Sequence, residues 1–304
     1  MLILNGSKST ALGEKIAIEM GLNFENVTTR EFPDGENYVR ISTDLKGRDV
    51  VIVQTMFPDQ NDSLIEFLQI VDTAKDLGAK SIVGIVPYLA YSRQDRRFQP
   101  GESLSSQTVA KMMKGVGVDE LITVDTHYKH VKPGKFDLFG LPCNNLSAGR
   151  LLLNHIKEKV DNDIMTIGPD LGSSQMIEYA TGQKAFLKKE KRCPICGKPA
   201  KDCKCKIKKK KYEIVEVKGE YDFHGKTVVI LDDIIASGST MIKAVKTIKS
   251  EGAKKVVAAA THGLFMKDSL LTLREMADYL VVTDTISTPV SNVSIAPLIV
   301  GALK

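Results

Sequence analysis

The chain has 304 residues, of which 43% are hydrophobic and 26% are charged, and its formal net charge is +5 at pH 7. These values lie near the average for soluble globular domains, so they argue against a fibrous, a largely disordered or a membrane-spanning protein. The length is sufficient for two ordinary α/β domains, each with its own core.

Short apolar runs alternate with amphipathic segments along the chain. Predicted strands lie at Leu2–Asn5, Val50–Gln54, Ser81–Val86, Leu121–Val124, Ile164–Gly168, Thr227–Leu231, Lys255–Ala260 and Tyr279–Val282. Predicted helices lie at Asp62–Leu77, Ser103–Lys114, Ser147–Lys159 and Ser239–Ser250. Because buried strands alternating with helices are typical of parallel sheets covered on both faces, the predicted fold class is α/β.

The pattern restarts near Asn144–Ser147, where polar residues lead into a new helix. We therefore predict one domain over residues 1–144 and a second over 145–304, with an insert at about 190–211 in the second. The amino-terminal residues 1–6 have no basic segment followed by a long apolar run, so no secretion signal is expected and a cytoplasmic location is predicted.

The positive charge is concentrated in one segment. Lys184–Lys211 carries 13 Lys and Arg against two acids, a local charge of +11, which leaves −6 for the rest of the chain. Such a segment suits contact with nucleic acid or with a polyphosphate substrate, and charge alone does not choose between them.

The most informative motif is Val228–Thr240. A buried strand ends in Asp232 and Asp233, and the small residues Ala236–Gly238 then lead into a helix that begins near Ser239. The backbone N–H groups of such a turn suit a phosphate, and paired carboxylates can accept hydrogen bonds from vicinal ribose hydroxyls. The alternative is a polar strand end followed by an ordinary helix cap.

Two other strings are unusual in composition, Glu31–Glu36 (EFPDGE) and Pro87–Glu102 (PYLAYSRQDRRFQPGE). In the first, Phe32 can stack on a purine, while Asp34 and Glu36 can accept from its exocyclic amine.

In the second string, Arg93 offers a planar pair of donors to phosphate oxygens and Gln94 a neutral donor beside it. Arg96 and Arg97 fit either a phosphate contact or a salt bridge.

Val228–Thr240 resembles the ribose-5-phosphate loop shared by phosphoribosyltransferases and phosphoribosyl-pyrophosphate synthetases, and the two other strings resemble the ATP site of the synthetases. The chain is similar to the ribose-phosphate pyrophosphokinase family over nearly its whole length, except about 190–211. The resemblance implies two phosphoribosyltransferase-like domains, each a mainly parallel sheet flanked by helices. It also implies transfer of the pyrophosphoryl group of Mg-ATP to ribose 5-phosphate by a homo-oligomer, a dimer or larger.

The resemblance also implies roles for the matching residues. ATP binding falls to Phe32, Asp34, Gly35, Glu36, Arg93 and Gln94, and ribose 5-phosphate binding to Asp232, Asp233, Ala236, Ser237, Gly238, Ser239 and Thr240. Mg²⁺ binding falls to His127 and Asp170, and catalysis to Lys189 with Lys191 or Arg192. The family pattern has an Arg two residues after the catalytic Lys; here that position is Lys191, so the second cation stays open.

Four of the five cysteines lie together, as Cys193, Cys196, Cys203 and Cys205. In a reducing cytoplasm this C-x-x-C-G…C-x-C spacing predicts a structural, tetrahedral Zn²⁺ site, and the alternative is a loop with free or redox-active thiols. A bound zinc ion would pre-order the loop that carries Lys189. The fifth, Cys143, is expected to pack in a loop or core.

Three other functions stay open. The chain could be a catalytically silent homologue that binds nucleotide and regulates a partner. The basic insert could bind RNA, although it has only Tyr212 beside it for base stacking, so nucleic acid is not expected as a partner. A phosphoribosyltransferase could use Val228–Thr240, but it would not need the two ATP strings.

Overall fold

The structure is a computed structural model that describes residues 1–128, 132–169, 174–178, 184–186, 188–192, 196, 205, 213–218 and 221–304. The chain divides into two compact units. The first comprises Met1–Ala148, Thr261–Leu264 and Val282–Lys304, and the second comprises Gly149–Ala260 and Phe265–Val281.

The first 148 residues contain nine strands and three helices in their described part. The strands are β1 (Leu2–Asn5), β2 (Phe24–Asn26), β3 (Thr28–Glu31), β4 (Asn37–Arg40), β5 (Asp49–Val53), β6 (Ser81–Ile85), β7 (Glu120–Val124), β8 (Gly134–Leu138) and β9 (Leu141–Leu146). The helices are α1 (Thr10–Met20), α2 (Gln60–Asp76) and α3 (Ser105–Val116). Seven strands form one sheet in the order β2-β1-β5-β6-β7-β9-β8, and β3 and β4 form a separate antiparallel ribbon. Every pair in the sheet is parallel except β8 with β9.

The rest of the chain continues the alternation. Its elements are α4 (Gly149–Lys159), β10 (Ile164–Gly168), α5 (Ser174–Ile177), β11 (Lys184–Phe186), β12 (Lys188–Arg192), β13 (Glu213–Lys218), β14 (Thr227–Ile235), α6 (Ser239–Ser250), β15 (Lys255–Gly263), α7 (Ser269–Met276), β16 (Tyr279–Thr283), β17 (Ser291–Val293) and α8 (Ala296–Leu303). A six-stranded sheet has the order β11-β10-β14-β15-β16-β17. β10 pairs in parallel with β11 and β14, and β16 pairs in parallel with β17.

The sheet of the first unit is covered on both faces. On one face Ile16 of α1 and Ile299 of α8 join a fully buried cluster with Ile3 and other strand residues. On the other face Phe67 of α2 packs over Gly84, where an added Cβ would lie 2.8 Å from the phenyl ring. Burial on both faces explains why these strands read as continuous apolar runs in the sequence.

The predicted α/β fold class, with mainly parallel sheets flanked by helices, is confirmed. Three predicted elements, Leu2–Asn5, Ile164–Gly168 and Ser239–Ser250, have the observed bounds. The strand predicted at Thr227–Leu231 is longer and continues to Ile235. The ribbon β3–β4 and the edge strand β8 were not predicted, because their short polar sequences lack an apolar run.

The compact units are drawn differently from the predicted domains. β9 runs through residue 144 and pairs with β7, and the first segment of the first unit ends at Ala148. The carboxyl-terminal segment Val282–Lys304 also belongs to the first unit, since α8 packs on α1. The predicted domain boundary between residues 144 and 145 stays a prediction. Among the described residues, no helix combines the length and apolar character needed to cross a bilayer.

A buried carboxylate joins distant segments inside the first unit. Asp125 follows β7, is 7% exposed and has a φ of 39°. One of its oxygens, Oδ2, accepts hydrogen bonds from the backbone N–H of Ala148 at 2.9 Å and from the hydroxyl of Thr261 at 2.6 Å. Beside it, His262 Nε2 donates to the carbonyl of Val124 at 2.9 Å. The end of β7 is therefore held by residues far away in the sequence.

Replacement of this carboxylate is expected to be destabilising. Asp125→Ala would leave two buried donors without an acceptor and place an alanine at positive φ, so we expect a loss of about 2–4 kcal/mol in the free energy of unfolding. Thermal unfolding followed by circular dichroism measures the effect. Asp72→Ala, at an exposed position of α2, is the matched control and should change stability by less than about 0.5 kcal/mol. Equal melting temperatures for the two variants would contradict the expectation.

Candidate active site

The string Glu31–Glu36 forms the turn of the β3–β4 ribbon. The N–H of Phe32 donates to the carbonyl of Glu36 at 2.8 Å, and the N–H of Gly35 donates to the carbonyl of Phe32 at 2.9 Å. Gly35 has a φ of 92°, which only glycine adopts without strain. The side chain of Asp34 accepts from the N–H of Glu36 at 3.3 Å. All six residues are exposed, so the turn presents them to a ligand.

Two neighbours hold the Phe32 ring, which is 38% exposed. Tyr38 meets it edge to face, with ring centroids 5.9 Å apart and planes at 88°. The guanidinium of Arg30 lies 5.3 Å from the Phe32 centroid and 4.2 Å from that of Tyr38. Arg30 and Tyr38 face each other across the ribbon in register. The sequence analysis did not identify these two residues; their alternation with Phe32 on the two strands was the available signal.

The string Pro87–Glu102 connects β6 to α3. Arg93 is exposed and Gln94 is half-buried. The hydroxyl of Ser106, in the first turn of α3, donates to the carbonyl of Gln94 at 2.9 Å. The loop therefore holds Arg93 at the surface, next to an anchored backbone.

His127 lies two residues after Asp125, at the carboxyl end of β7, and its side chain is half-buried. The next residue, Tyr128, is buried, and burial raises the pKa of its phenol. The other predicted magnesium ligand, Asp170, lies outside the described residues.

The string Val228–Thr240 takes the predicted strand–turn–helix form, with one correction. Asp232 and Asp233 lie within β14, three and two residues before its last residue, whereas the sequence pattern predicted them at the strand end. Both carboxylates are half-buried. The hydroxyl groups of Ser237 and Ser239 lie 3.2 Å apart in the turn that follows, and Thr240 is in the first turn of α6.

The segment of residues 265–269 packs against this turn and hydrogen-bonds to it. The N–H of Met266 donates to the carbonyl of Ala236 at 2.9 Å, and that of Phe265 to the carbonyl of Ile235 at 3.1 Å. Ser269 packs so closely that a Cβ on Gly238 would lie 2.7 Å from its own Cβ. Gly238 also has a φ of 70°. Residues 265–269 are thus part of the turn's support, although no motif in the sequence indicated it.

These two constraints predict that replacement of Gly238 by any residue with a Cβ lowers the stability of the protein. Gly238→Ala would combine positive φ with a steric contact against Ser269, and we expect a loss of about 1–3 kcal/mol in stability. Gly115→Ala is the matched control, because an added methyl in α3 would meet nothing within 4 Å and should leave stability equal or slightly higher. Thermal unfolding of both variants measures the difference. A Gly238→Ala protein as stable as Gly115→Ala would contradict this account.

The predicted catalytic cations lie on one strand. Lys189, Lys191 and Arg192 all belong to β12, which pairs with β13 in an antiparallel ribbon. The register shifts between Glu190 and Lys191. The extra residue at this shift, Val215, lies on β13, so the pairing does not choose between Lys191 and Arg192, and that choice stays open.

The predicted zinc ligands are only partly covered by the structure. Cys193 and Cys203 lie outside the described residues, while Cys196 is exposed and Cys205 is half-buried. Among the described residues, no group of three or more His, Cys, Asp and Glu is placed to hold a metal ion. Cys143 packs in β9 as expected, and burial raises the pKa of its thiol.

Comparisons with known proteins place these features in one family. Residues 1–117 match the family described as the N-terminal domain of ribose phosphate pyrophosphokinase, and residues 196–298 match the phosphoribosyl synthetase-associated domain. The ribose-phosphate pyrophosphokinase of Methanopyrus kandleri is 34% identical, with 100% of this chain and 99% of that protein covered. The Pyrococcus furiosus enzyme of the same name is 34% identical, with 100% of both chains covered.

A solved structure agrees with the sequence matches. The phosphoribosylpyrophosphate synthetase from Mycobacterium smegmatis superimposes with a TM-score of 0.81 at 26% identity, covering 99% of this chain and 97% of that one. The shared fold extends over both compact units and is not limited to one motif. The chain belongs to the ribose-phosphate pyrophosphokinase family.

Proposed function

We propose that this chain transfers the β,γ-pyrophosphoryl group of Mg-ATP to the 1-hydroxyl of ribose 5-phosphate, releasing phosphoribosyl pyrophosphate and AMP. The observation that carries the proposal is the match to pyrophosphokinases over the whole chain. The matched length includes the turn at Glu31–Glu36, which suits a purine, and the turn at Ala236–Thr240, which suits a phosphate. A phosphoribosyltransferase would require only the second of these turns.

The sugar phosphate fits the turn after β14. The phosphate would accept hydrogen bonds from the backbone at Ala236–Thr240 and from the hydroxyls of Ser237 and Ser239. The half-buried carboxylates of Asp232 and Asp233 precede this turn and can accept from the ribose hydroxyls. This arrangement holds the sugar by its phosphate at one end and by its vicinal hydroxyls at the other.

ATP fits the features of the first unit. Phe32 offers a stacking face for the purine, Asp34 and Glu36 offer acceptors for its amine, and Arg93 offers a planar pair of donors to the phosphates. In the reaction the 1-hydroxyl oxygen forms a bond to the β-phosphorus. The bond between the β-phosphorus and the oxygen that bridges it to the α-phosphorus breaks, so that AMP leaves with this oxygen. The sugar hydroxyl loses its proton. The protein has to hold the two groups in line and balance the negative charge.

Mg²⁺ in such sites is held by one or two protein ligands, substrate phosphates and water, and we propose His127 and Asp170 as the protein ligands. The half-buried position of His127 at a strand end fits this role. The ion would neutralise phosphate charge. Lys189, with Lys191 or Arg192, would add positive charge from β12. We also propose a cytoplasmic homo-oligomer, a dimer or larger.

The proposed reaction makes a direct prediction. Purified protein incubated with Mg-ATP and ribose 5-phosphate should form AMP and phosphoribosyl pyrophosphate in equal amounts, and no AMP when the sugar is omitted. Chromatography of the nucleotides measures both products. Nucleotide binding without AMP under any metal or phosphate condition would favour the silent homologue instead. Retention of RNA at physiological salt would support the nucleic-acid role.

We further propose that Cys193, Cys196, Cys203 and Cys205 bind a structural Zn²⁺ between β12 and β13. The pairing of Lys188–Arg192 with Glu213–Lys218 supports this proposal, because it makes residues 193–212 the connection of a hairpin. Thiolate ligands would also offset part of the positive charge of this segment.

Metal analysis tests the zinc proposal. Protein purified without added metal should contain about one zinc per chain, following from four thiolate ligands around one tetrahedral ion. Changing all four cysteines to serine should remove the zinc and lower kcat, whereas Cys143→Ser, outside the cluster, should keep it. A zinc-free protein whose four-serine variant is fully active would contradict the proposal.

A further inference from the structure

The loop that carries Arg93 and Gln94 is closed at its far end by a glutamate. The Oε2 atom of Glu102 accepts hydrogen bonds from the backbone N–H of Phe98 at 2.7 Å and from that of Gln99 at 3.0 Å. The backbone carbonyl of Glu102 accepts from Nε of Arg97 at 2.9 Å. One residue thus fixes three consecutive residues of the loop.

The same carboxylate reaches toward the start of the loop. Nε2 of Gln94 lies 3.5 Å from Oε2 of Glu102 and 3.3 Å from the carbonyl of Arg96, so each contact is long and weak by itself. The backbone of Gln94 is anchored separately, because its carbonyl accepts from the hydroxyl of Ser106. Glu102 therefore holds the backbone at Phe98 and Gln99 and borders the side chain of Gln94, while α3 holds the backbone of Gln94.

The two arginines of this loop have local partners. Arg97 donates to Glu102, and the guanidinium of Arg96 lies 5.0 Å from the ring centroid of Phe98, which is 59% exposed. Arg93, directly before Gln94, is exposed. Of these cations, Arg93 is the one best placed to meet a ligand, and the others stiffen the loop beside it.

We propose that Glu102 is a positioning residue for ATP, acting through the loop that carries Gln94 and Arg93. The inference rests on the proposed function, because the ATP-binding role of Gln94 and Arg93 is part of that proposal. The Glu102 carboxylate accepts hydrogen bonds from N–H groups of the same loop, so these bonds hold the loop in one conformation. Without it, the freed N–H groups would hydrogen-bond to water, and ATP binding would have to order the loop.

Two substitutions separate positioning from general stability. Glu102→Ala removes the acceptor, and we expect the KM for ATP to rise about tenfold, as for loss of a charge-assisted hydrogen bond. Glu102→Gln keeps an amide oxygen at similar reach, so it should rescue most of this loss and raise the KM only about threefold. The KM for ribose 5-phosphate should change less than about twofold, and kcat less than about threefold, since neither depends on the loop order directly.

The matched control is Glu19→Ala, an exposed glutamate of α1, which should leave both KM values unchanged. The melting temperature of Glu102→Ala should stay close to that of the unchanged chain, because the contacts lie in one surface loop. An unchanged KM for ATP in Glu102→Ala would overturn the inference, as would equal increases for both substrates with a lowered melting temperature. Failure of the unchanged chain to form AMP would instead remove the proposed function, and this inference with it.

Discussion

The position of the predicted magnesium ligand His127 depends on the buried Asp125 carboxylate. Its bonds to Ala148 and Thr261 join three stretches that are 23 and 136 residues apart in the sequence. A carboxylate is stable in the protein interior only when its oxygens accept hydrogen bonds. A buried carboxylate without such bonds would favour opening of the strand end. Since His127 follows two residues later, the same bonds determine where that imidazole stands. Structural integrity and site geometry are therefore linked in one interaction.

Much of the fold could be predicted from apolar runs, and the remainder shows where such patterns stop being informative. β14 and α6 were recognisable because a buried strand and an amphipathic helix differ in periodicity. The β3–β4 ribbon was not, because exposed polar residues such as Thr28–Glu31 carry no apolar alternation. The return of Val282–Lys304 to the first unit could not be predicted either, since it follows from packing between segments far apart in the chain.

The candidate site divides in the same way. Residues that are predicted to contact a ligand, such as Phe32 and Gly238, belong to compact motifs that the family resemblance could identify. Residues that hold them, such as Tyr38 and Ser269, lie on other strands or helices and are spaced by the fold. Family membership explains why the first group is present, while the second group has to be read from coordinates.

The β12–β13 ribbon has a consequence for how this protein can vary. Residues 193–212 join the two paired strands, so their number does not alter the partners of Lys189 within the ribbon. The entropy of closing such a connection grows only with the logarithm of its length, by about 0.6 kcal/mol for each doubling. A cysteine-rich module could thus be gained or lost here by insertion or deletion while the pairing of Lys189 with Val217 is retained. The hairpin therefore allows the insert to change in length or sequence without changing the strand that carries Lys189.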